Sequence, residues 1–259
     1  MSFHLDFKSV LSSCLLIAPL LIICSLCSPC IAQGDGSSDD TFNPFDIGYG
    51  MGDGPNAPLT ATLLQPDGKI LITGAFTTYN GVPRSGIARL LKDGSLDPSF
   101  DPGAGLAPAY TSGSSLAIQS DGAIIISGNF ESYNGLPRKG IARINVDGSP
   151  DIGFNPALNS TLSYSSVAIQ PDGKILIVGM FSLDNKGVVR INSNGSLDAD
   201  FTLGSGTYNA NSVAIQPDKK IVIGGVFVNL DGATNTKCIV RLNENGSLDP
   251  SFDSGTLYR

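Results

Sequence analysis

The stretch Asp93-Gly-Ser-Leu-Asp-Pro-Ser-Phe100 returns almost unchanged as Asn245-Gly-Ser-Leu-Asp-Pro-Ser-Phe252. Variants of this Gly-Ser motif stand at residues 147–154 and 194–201, and a partial copy stands at residues 35–42. A second signature, the Gln-Pro-Asp-Gly motif, interleaves with it at residues 65–68, 119–122, 170–173 and 216–219. Self-similarity at a fixed period of roughly 50 residues predicts a repeat architecture.

Each repeat is predicted to form four short strands. In the third repeat, the β-branched run at 166–170 ends in a Pro-Asp-Gly turn, and the apolar run at 174–181 is the return strand. Residues 187–192 form a third strand, and Asn194-Gly195 is a strong signal for a hairpin into a fourth. Four antiparallel strands in about 50 residues predict one blade of an all-β β-propeller.

The repeat count sets the expected domain layout. Because the last repeat already carries its own Gly-Ser motif, we expect an open or truncated ring with an unpaired edge. Apolar runs such as 124–126 do not alternate with polar residues, which predicts strands buried on both faces between neighbouring blades. The four full blades are predicted at approximately 61–110, 111–160, 161–209 and 210–259, with residues 35–42 as a stray strand motif.

Residues 1–32 have the pattern of a secretory signal peptide. Lys8 supplies a positive region, residues 10–23 are almost wholly apolar, and small residues lead to a cleavage site after Ala32. An uncleaved membrane anchor is the alternative, but the apolar core is shorter than the about 20 residues that a span needs. We therefore predict that residues 33–259 form a secreted or cell-surface propeller without a membrane span. Cys238, the one cysteine outside the leader, is predicted to be buried in a strand.

The composition excludes several classes of function. The net charge of −7 argues against nucleic acid as a partner, because phosphate binding requires a basic surface. The one histidine, His4, lies in the leader, so the mature chain offers neither a Ser-His-Asp triad nor a histidine metal ligand. The aspartates recur at the same turn positions in every repeat, which favours backbone capping over catalysis. We therefore predict no catalytic residue, no cofactor and no metal site.

An arginine recurs in the third strand of each repeat, eight residues before an aspartate. The hairpin between these positions predicts four ion pairs, partly buried and bidentate, that fix the register of the strands. The alternative is a ring of arginines that lines an anion site in a central channel. The predicted pairs are Arg89 with Asp97, Arg143 with Asp151, Arg190 with Asp198, and Arg241 with Asp249.

The order of the motifs resembles the delta-60 repeats of exported bacterial proteins. The resemblance rests on Gln-Pro-Asp-Gly-Lys-Ile, Gly-x-Phe, Gly-Ile-Ala-Arg-Leu and the Gly-Ser motif, and it covers residues 35–259. Lys219 departs from the pattern by replacing the turn glycine, and residues 183–187 lack the Tyr-Asn-Gly step of the first two repeats. The resemblance implies a β-propeller fold and export from the cytoplasm. It implies no catalytic residues.

These observations favour a non-enzymatic, exported scaffold that binds an extracellular protein or glycan through its loops. One alternative is a cell-envelope hydrolase or lyase that uses non-repeating carboxylates such as Asp46, Asp53 or Asp184. A further alternative is one module of a longer surface adhesin. The candidate contact residues are the tyrosines predicted to lie in loops: Tyr79, Tyr110, Tyr133, Tyr164 and Tyr208.

Overall fold

The computed structural model describes residues 42, 54–108, 112–156, 158, 164–179, 187–232, 236–253 and 255. By its internal contacts the chain divides into Met1–Asp39 and Asp40–Arg259, and all the described residues belong to the second unit. The described part contains no helix long and apolar enough to cross a membrane. Several predicted features lie outside the described residues. They are the leader, Asp46, Asp53, Tyr110, Asp184, and all of the partial motif except its last residue, Phe42.

The described chain is built from short antiparallel strands joined by tight turns. Its one helical element is a 3-10 helix, Leu230–Gly232. The strands are β1 (Leu59–Leu64), β2 (Ile70–Gly74), β3 (Thr78–Tyr79), β4 (Val82–Pro83), β5 (Ile87–Leu90), β6 (Leu106–Ala107), β7 (Ser112–Ile118), β8 (Ile124–Asn129), β9 (Ser132–Tyr133), β10 (Leu136–Pro137), β11 (Ile141–Ile144), β12 (Tyr164–Ile169), β13 (Ile175–Gly179), β14 (Val188–Ile191), β15 (Thr207–Ile215), β16 (Ile221–Val228) and β17 (Thr236–Leu242).

Four three-stranded antiparallel sheets form the four blades. In chain order they are β1-β2-β5, β7-β8-β11, β12-β13-β14 and β15-β16-β17. The Gln-Pro-Asp-Gly motif makes the turn between the first and second strand of each blade, where the amide of Gly68 donates to the carbonyl oxygen of Gln65 at 2.9 Å. Lys219 takes the place of this turn glycine in the fourth blade and adopts the same left-handed backbone, with φ of 66°. The turn geometry thus survives the substitution.

The predicted fourth strand of each blade is reduced to an isolated bridge, so the prediction of four-stranded blades is wrong in this detail. In the first blade Leu90 bridges Leu96. The ladder stops because the chain turns at the next residue: Asp97 accepts the amide of Ser99 on Oδ1 at 2.9 Å, and its carbonyl oxygen accepts the amide of Phe100 at 3.2 Å. The equivalent bridges are Ile144–Pro150, Ile191–Leu197 and Leu242–Leu248.

The middle strand of a blade is buried on both faces, as the unbroken apolar runs predict. Ile124 and Ile126 pack in a cluster shared with the first blade, whereas Ile125 packs in a cluster shared with the third. All three side chains are fully buried. We call the side of a blade that meets the next blade in chain order its forward face, and the opposite side its rear face. Hydrophobic clusters therefore fill each space between consecutive blades.

Consecutive blades touch along their first strands. β1 contacts β7, β7 contacts β12, and β12 contacts β15. No contact of comparable extent joins the described strands of the fourth blade to those of the first. The described residues thus form an all-β propeller arrangement of four blades without a closed ring, which confirms the predicted fold class.

Among the described residues no further blade packs on the forward face of the fourth blade, and Cys238 on this blade contradicts its prediction. Cys238 lies in β17 and is exposed. The next residue, Ile239, is 37% exposed, although the equivalent residues Ile87 and Ile141 are buried between blades. An apolar strand sequence therefore predicts burial only where a neighbouring blade covers that strand.

Candidate functional site

A cluster of three charged side chains lies on the first blade, with Arg89 and Asp97 buried and Lys69 partly exposed. The Nε of Arg89 and the Nζ of Lys69 both contact Oδ2 of Asp97, at 2.7 and 2.9 Å. The other carboxylate oxygen, Oδ1, accepts the amide and the hydroxyl of Ser99. Because Ser99 occupies Oδ1, the arginine binds one oxygen alone. The predicted Arg89–Asp97 pair is present, but it is not bidentate.

Burial alone would raise the pKa of the Asp97 carboxyl, since a charged group loses solvation. Hydrogen bonds from Ser99, Lys69 and Arg89 more than compensate, and they hold this pKa well below the ordinary value. Asp97 is therefore a permanently charged anchor near neutral pH. A general acid or base needs a pKa near the working pH, so this aspartate is poorly suited to proton transfer.

The third and fourth blades repeat the cluster of the first. Arg190 and Lys174 contact Oδ2 of Asp198 at 2.6 and 2.9 Å. In the fourth blade Arg241 and Lys220 both lie 2.8 Å from Oδ2 of Asp249. Burial raises and the lysine and arginine contacts lower the pKa of Asp198, with a net lowering. Contacts from Lys220 and Ser251 hold the pKa of Asp249 well below the ordinary value.

The second blade departs from this arrangement because Ala123 stands where the other blades have lysine. The Nε of Arg143 lies 3.3 Å from Oδ2 of Asp151 and makes no hydrogen bond. Its Nη2 instead donates to Oδ2 of Asp121 at 2.7 Å. The predicted Arg143–Asp151 pair is thus present as a longer contact.

The same arginines join each blade to the next one. The Nη1 of Arg89 donates to the carbonyl oxygen of Val146 at 2.6 Å, in the Gly-Ser turn of the second blade. Arg143 reaches the carbonyl oxygen of Ser193 in the third blade at 3.1 Å, and Arg190 reaches that of Glu244 in the fourth. Each of these three guanidinium groups therefore fastens two blades and is not free to form part of an anion-binding ring.

Two further contacts complete this junction, which we call the clamp. The guanidinium group of Arg89 lies over the ring of Phe100, 4.8 Å from its centre. The amide of the next residue, Asp101, donates to the carbonyl oxygen of Asp147 at 2.8 Å. A Cβ added to Gly148 would lie 2.7 Å from the backbone of Asp101, so this position requires glycine. The close approach of the preceding blade thus explains the glycine of the second blade, and a positive φ of 82–93° favours glycine at this position in all four Gly-Ser turns.

The tyrosines predicted as loop contacts do not serve that role where their side chains are described. Tyr79 and Tyr133 are buried, and their hydroxyl groups donate to the carbonyl oxygens of Gly94 and Gly148 at 2.6 Å. The Tyr-Asn-Gly step forms a tight turn that folds the ring inwards, whereas the sequence suggested an open loop. Tyr164 begins β12, and its side chain lies outside the described part.

Tyr208 is also buried, so the prediction is wrong for this residue as well. Its ring packs edge-on against Phe227, with 5.7 Å between the ring centres. Burial, assisted by the charge of Asp231, raises its pKa to about 12. An ionised or solvent-facing role is therefore excluded for this hydroxyl group at neutral pH.

An open groove of about 630 Å³ lies between the first and second blades, at the ends of β1 and β7. Its lining is mostly apolar and includes Leu63, Leu64, Ile118 and Val146. Leu64 is 70% exposed and Val146 is 52% exposed. Asp67 is the one carboxylate among the lining residues. Sequence reasoning missed this groove, although Val146 is an apolar residue where the other repeats have Lys, Ser or Glu.

The recurring aspartates of the Gln-Pro-Asp-Gly motif cap backbone amides, as predicted. Oδ1 of Asp67 accepts the amide of Lys69 at 3.1 Å, and Oδ1 of Asp172 accepts the amide of Lys174 at the same distance. Within the described ranges, no three His, Cys, Asp or Glu side chains are placed to hold a metal ion. The groove therefore presents apolar walls and amide groups rather than a set of ligating or catalytic carboxylates.

Several solved structures resemble the chain at low identity. The extracellular domain of a candidate one-component system from B. thetaiotaomicron shows 14% identity and a TM-score of 0.44, over 66% of this chain and 21% of that one. A candidate gluconolactonase shows 16% identity and a TM-score of 0.45, over 74% and 64% of the two chains. PorZ, a surface component of the type-IX secretion system of Porphyromonas gingivalis, shows 12% identity and a TM-score of 0.41, over 78% and 27%. The matched part spans less than two thirds of each of these three proteins.

A family model identifies the repeats directly. No curated protein sequence matches the chain significantly. The model described as "Domain of unknown function (DUF5122) beta-propeller" matches residues 65–100, 119–154, 170–201 and 216–252. Each matched segment runs from the glutamine of the Gln-Pro-Asp-Gly motif to the phenylalanine of the Gly-Ser motif, and together the segments cover more than half of the chain. The chain therefore belongs to the DUF5122 β-propeller family.

Proposed function

We propose that this protein is a non-enzymatic, exported scaffold that binds a protein or glycan in the groove between its first and second blades. The observation that carries the proposal is the lining of this groove. It is made from the ends of β1 and β7 and from the repeat motif itself, with Leu64 and Val146 as exposed apolar side chains. A catalytic pocket would instead collect chemically reactive residues that break the repeat.

The use of the recurring charges supports a scaffold. Arg89 and Lys69 both bind the carboxylate of Asp97 within a blade, and Arg89 also fastens the next blade. Glycoside cleavage by the common mechanism needs two carboxyl groups that flank the bond. The groove lining holds one, Asp67. Exposed apolar side chains beside polar amide groups are instead typical of a recognition surface.

The proposal includes export from the cytoplasm and a relation to the delta-60 repeat proteins. The leader pattern of residues 1–32 and the resemblance to delta-60 repeats both favour a location outside the cytoplasm. In that setting the ligand is an extracellular protein or glycan. The apolar groove walls favour a ligand with an apolar portion of its own.

The test is a binding screen with matched variants. The purified protein is applied to glycan and protein arrays, and each captured ligand is titrated against the double variant Leu64→Asp/Val146→Asp. We expect binding to weaken by about tenfold or more, since two exposed apolar contacts are replaced by charges. The control is Ile152→Asp, which changes a side chain that is 79% exposed and lies outside the groove. This control should bind as the parent protein does.

Two outcomes would overturn the proposal. Ligands that bind the double variant and the parent protein equally would remove the groove from the binding site. Turnover of a panel of lactones and glycosides above the rate in buffer would identify an enzyme instead of a scaffold.

A further inference from the structure

The groove between the first two blades contains a buried side chain with an unused acceptor. Gln119 lines the groove and is 6% exposed, whereas Leu64 and Val146 in the same lining are more than half exposed. Its Oε1 is buried and accepts no hydrogen bond from any residue that the structure describes. A buried polar atom without a partner destabilises a fold, and folded proteins contain few of them. The stability of the blade therefore does not explain a glutamine at this position.

The equivalent glutamine of the third blade shows why this acceptor is left over. Oε1 of Gln170 accepts Nη1 of Arg190 at 3.2 Å, within the same blade. In the second blade the guanidinium group of Arg143 donates to Asp121 and to the third blade instead. Gln119 therefore receives no donor from the arginine of its own blade, and its amide oxygen remains available to a ligand.

The first blade contributes a second acceptor of the same kind. Gln65 follows β1 and lines the groove, and its Oε1 is also buried without a donor among the described residues. The terminal torsion of a glutamine side chain is soft, so a rotation of the amide brings the oxygen towards a donor in the groove and breaks no hydrogen bond at Oε1. The carboxylate of Asp67 is a further acceptor in the lining. The groove therefore favours a ligand that supplies hydrogen-bond donors.

The lining fits a peptide better than a sugar. A sugar carries a hydroxyl group on almost every ring carbon, and each buried hydroxyl needs a hydrogen-bond partner. Aliphatic side chains such as Leu64, Ile118 and Val146 offer no such partner. A peptide residue instead joins one apolar side chain to one backbone N–H group. This combination matches an aliphatic wall beside an amide oxygen.

We propose that the groove binds an extended polypeptide, which places an aliphatic side chain against Leu64 and Val146 and donates a backbone N–H to Oε1 of Gln119. This inference rests on the proposed function, because it names the ligand class of the same groove. Gln119 determines specificity, since a ligand without the donor leaves the amide oxygen unpaired.

An array of neutral hexapeptides with a central Leu, Ile or Val tests the ligand class. Each captured peptide is then compared with copies that are N-methylated at one backbone position at a time, because methylation removes a single donor and keeps the side chains. Methylation at one position should weaken binding to the parent protein by about tenfold. The same methylation should change binding to Gln119→Leu far less, because this variant has no acceptor to lose.

Thermal unfolding separates a binding role from a structural role. Gln119→Leu should weaken peptide binding and raise the melting temperature by about 2–4 °C, because it removes an unpaired buried polar group. Gln170→Leu should lower the melting temperature, because it removes an acceptor of Arg190. The matched control is Gln216→Leu, which makes the same change at the equivalent position of the fourth blade, outside the groove lining. Its peptide binding should equal that of the parent protein.

The outcomes distinguish this inference from the proposed function. Peptides that bind the parent protein and Leu64→Asp/Val146→Asp equally would remove the groove from the binding site and overturn both. Binding that is lost in the double variant, but kept by Gln119→Leu with an unchanged effect of methylation, would overturn the role of Gln119 alone. An array on which no peptide is captured, or a ligand found only among glycans, would overturn the polypeptide class and leave the groove as the proposed binding site.

Discussion

The second and third blades have the same strands and the same turns, yet they hold their charges differently. In the third blade Lys174 and Arg190 close on Asp198, and the arginine side chain is 4% exposed. In the second blade alanine replaces the lysine, and the side chain of Arg143 is 20% exposed. The contact between Nε and Oδ2 lengthens from 2.6 to 3.3 Å. One missing lysine thus accompanies a looser ion pair.

This difference indicates that the cluster works as a unit of three side chains. Without a lysine beside Asp151, the Nη2 of Arg143 turns to Asp121 in the neighbouring turn. A buried carboxylate that binds two cations is better compensated for its loss of solvation than one that binds a single cation. The lysine therefore helps to keep the arginine and the aspartate together. The comparison leads to four predictions, and the one with the largest expected effect comes first.

Acid should destabilise the protein more than any single substitution, because it acts on three blades at once. The folded pKa values of Asp97, Asp198 and Asp249 lie below the ordinary value of 3.8. At low pH the unfolded chain therefore binds more protons than the folded chain does. The three aspartates contribute fully to the free energy of unfolding above about pH 4, and this contribution is lost as the pH falls through their folded pKa values. Urea unfolding at a series of pH values from 7 down to 2 measures this loss.

The lysines should account for part of this acid dependence. Lys174→Met removes one cation from Asp198. The free energy of unfolding should therefore fall less steeply on acidification, by the part that the third blade contributes. The matched control is Lys139→Met, at an exposed lysine that makes no ion pair in the described chain. If the two variants lose the same stability on acidification, the lysine contact does not contribute to the acid dependence.

Removal of the arginine should lower the free energy of unfolding more in the third blade than in the second. Arg190→Met leaves a buried carboxylate with one cation fewer and removes the clamp on the fourth blade, so we expect a loss of about 3 kcal/mol. Arg143→Met acts on a more exposed pair and should cost about 1 kcal/mol. Chemical denaturation of both variants gives the comparison. Equal losses would contradict the view that the second blade holds the weaker cluster.

Insertion of the missing lysine should make the second blade resemble the third. Ala123→Lys places an Nζ near Asp151 and should stabilise the protein by about 0.5–1 kcal/mol, measured as a rise in melting temperature. Ala123→Met is the control, because it has a similar length and no charge. An increase that the methionine variant reproduces would show that packing, rather than the ion pair, is responsible.

The sequence was sufficient to predict the blades and most of the charged cluster. The repeat period placed the strands, and the eight-residue spacing identified all four arginine–aspartate pairs, because a hairpin brings such positions together. The lysine of the cluster was missed because Lys69 directly follows a turn, where a solvated side chain is the usual expectation. Its Nζ instead folds back 2.9 Å from Asp97, a contact between strands that spacing along one hairpin does not encode.

The errors in the prediction have a common physical origin. The Tyr-Asn-Gly step was interpreted as an open loop, but Asn80 adopts a left-handed φ of 47° and makes a turn tight enough to bury Tyr79. The hydroxyl of this buried ring donates to the carbonyl oxygen of Gly94, fifteen residues away. The exposure of Cys238 likewise depends on which blade lies next to it. Local pattern predicts strands well, and it does not predict what covers them.

The clamp between blades accepts its hydrogen bond on the main chain, and this has a consequence for how such proteins change over generations. The residues that offer the carbonyl oxygen are Val146, Ser193 and Glu244, which share no side-chain chemistry. A backbone acceptor looks the same whatever residue carries it. A duplicated blade can therefore join a new neighbour without matching mutations on either side, and its surface is free to diverge afterwards.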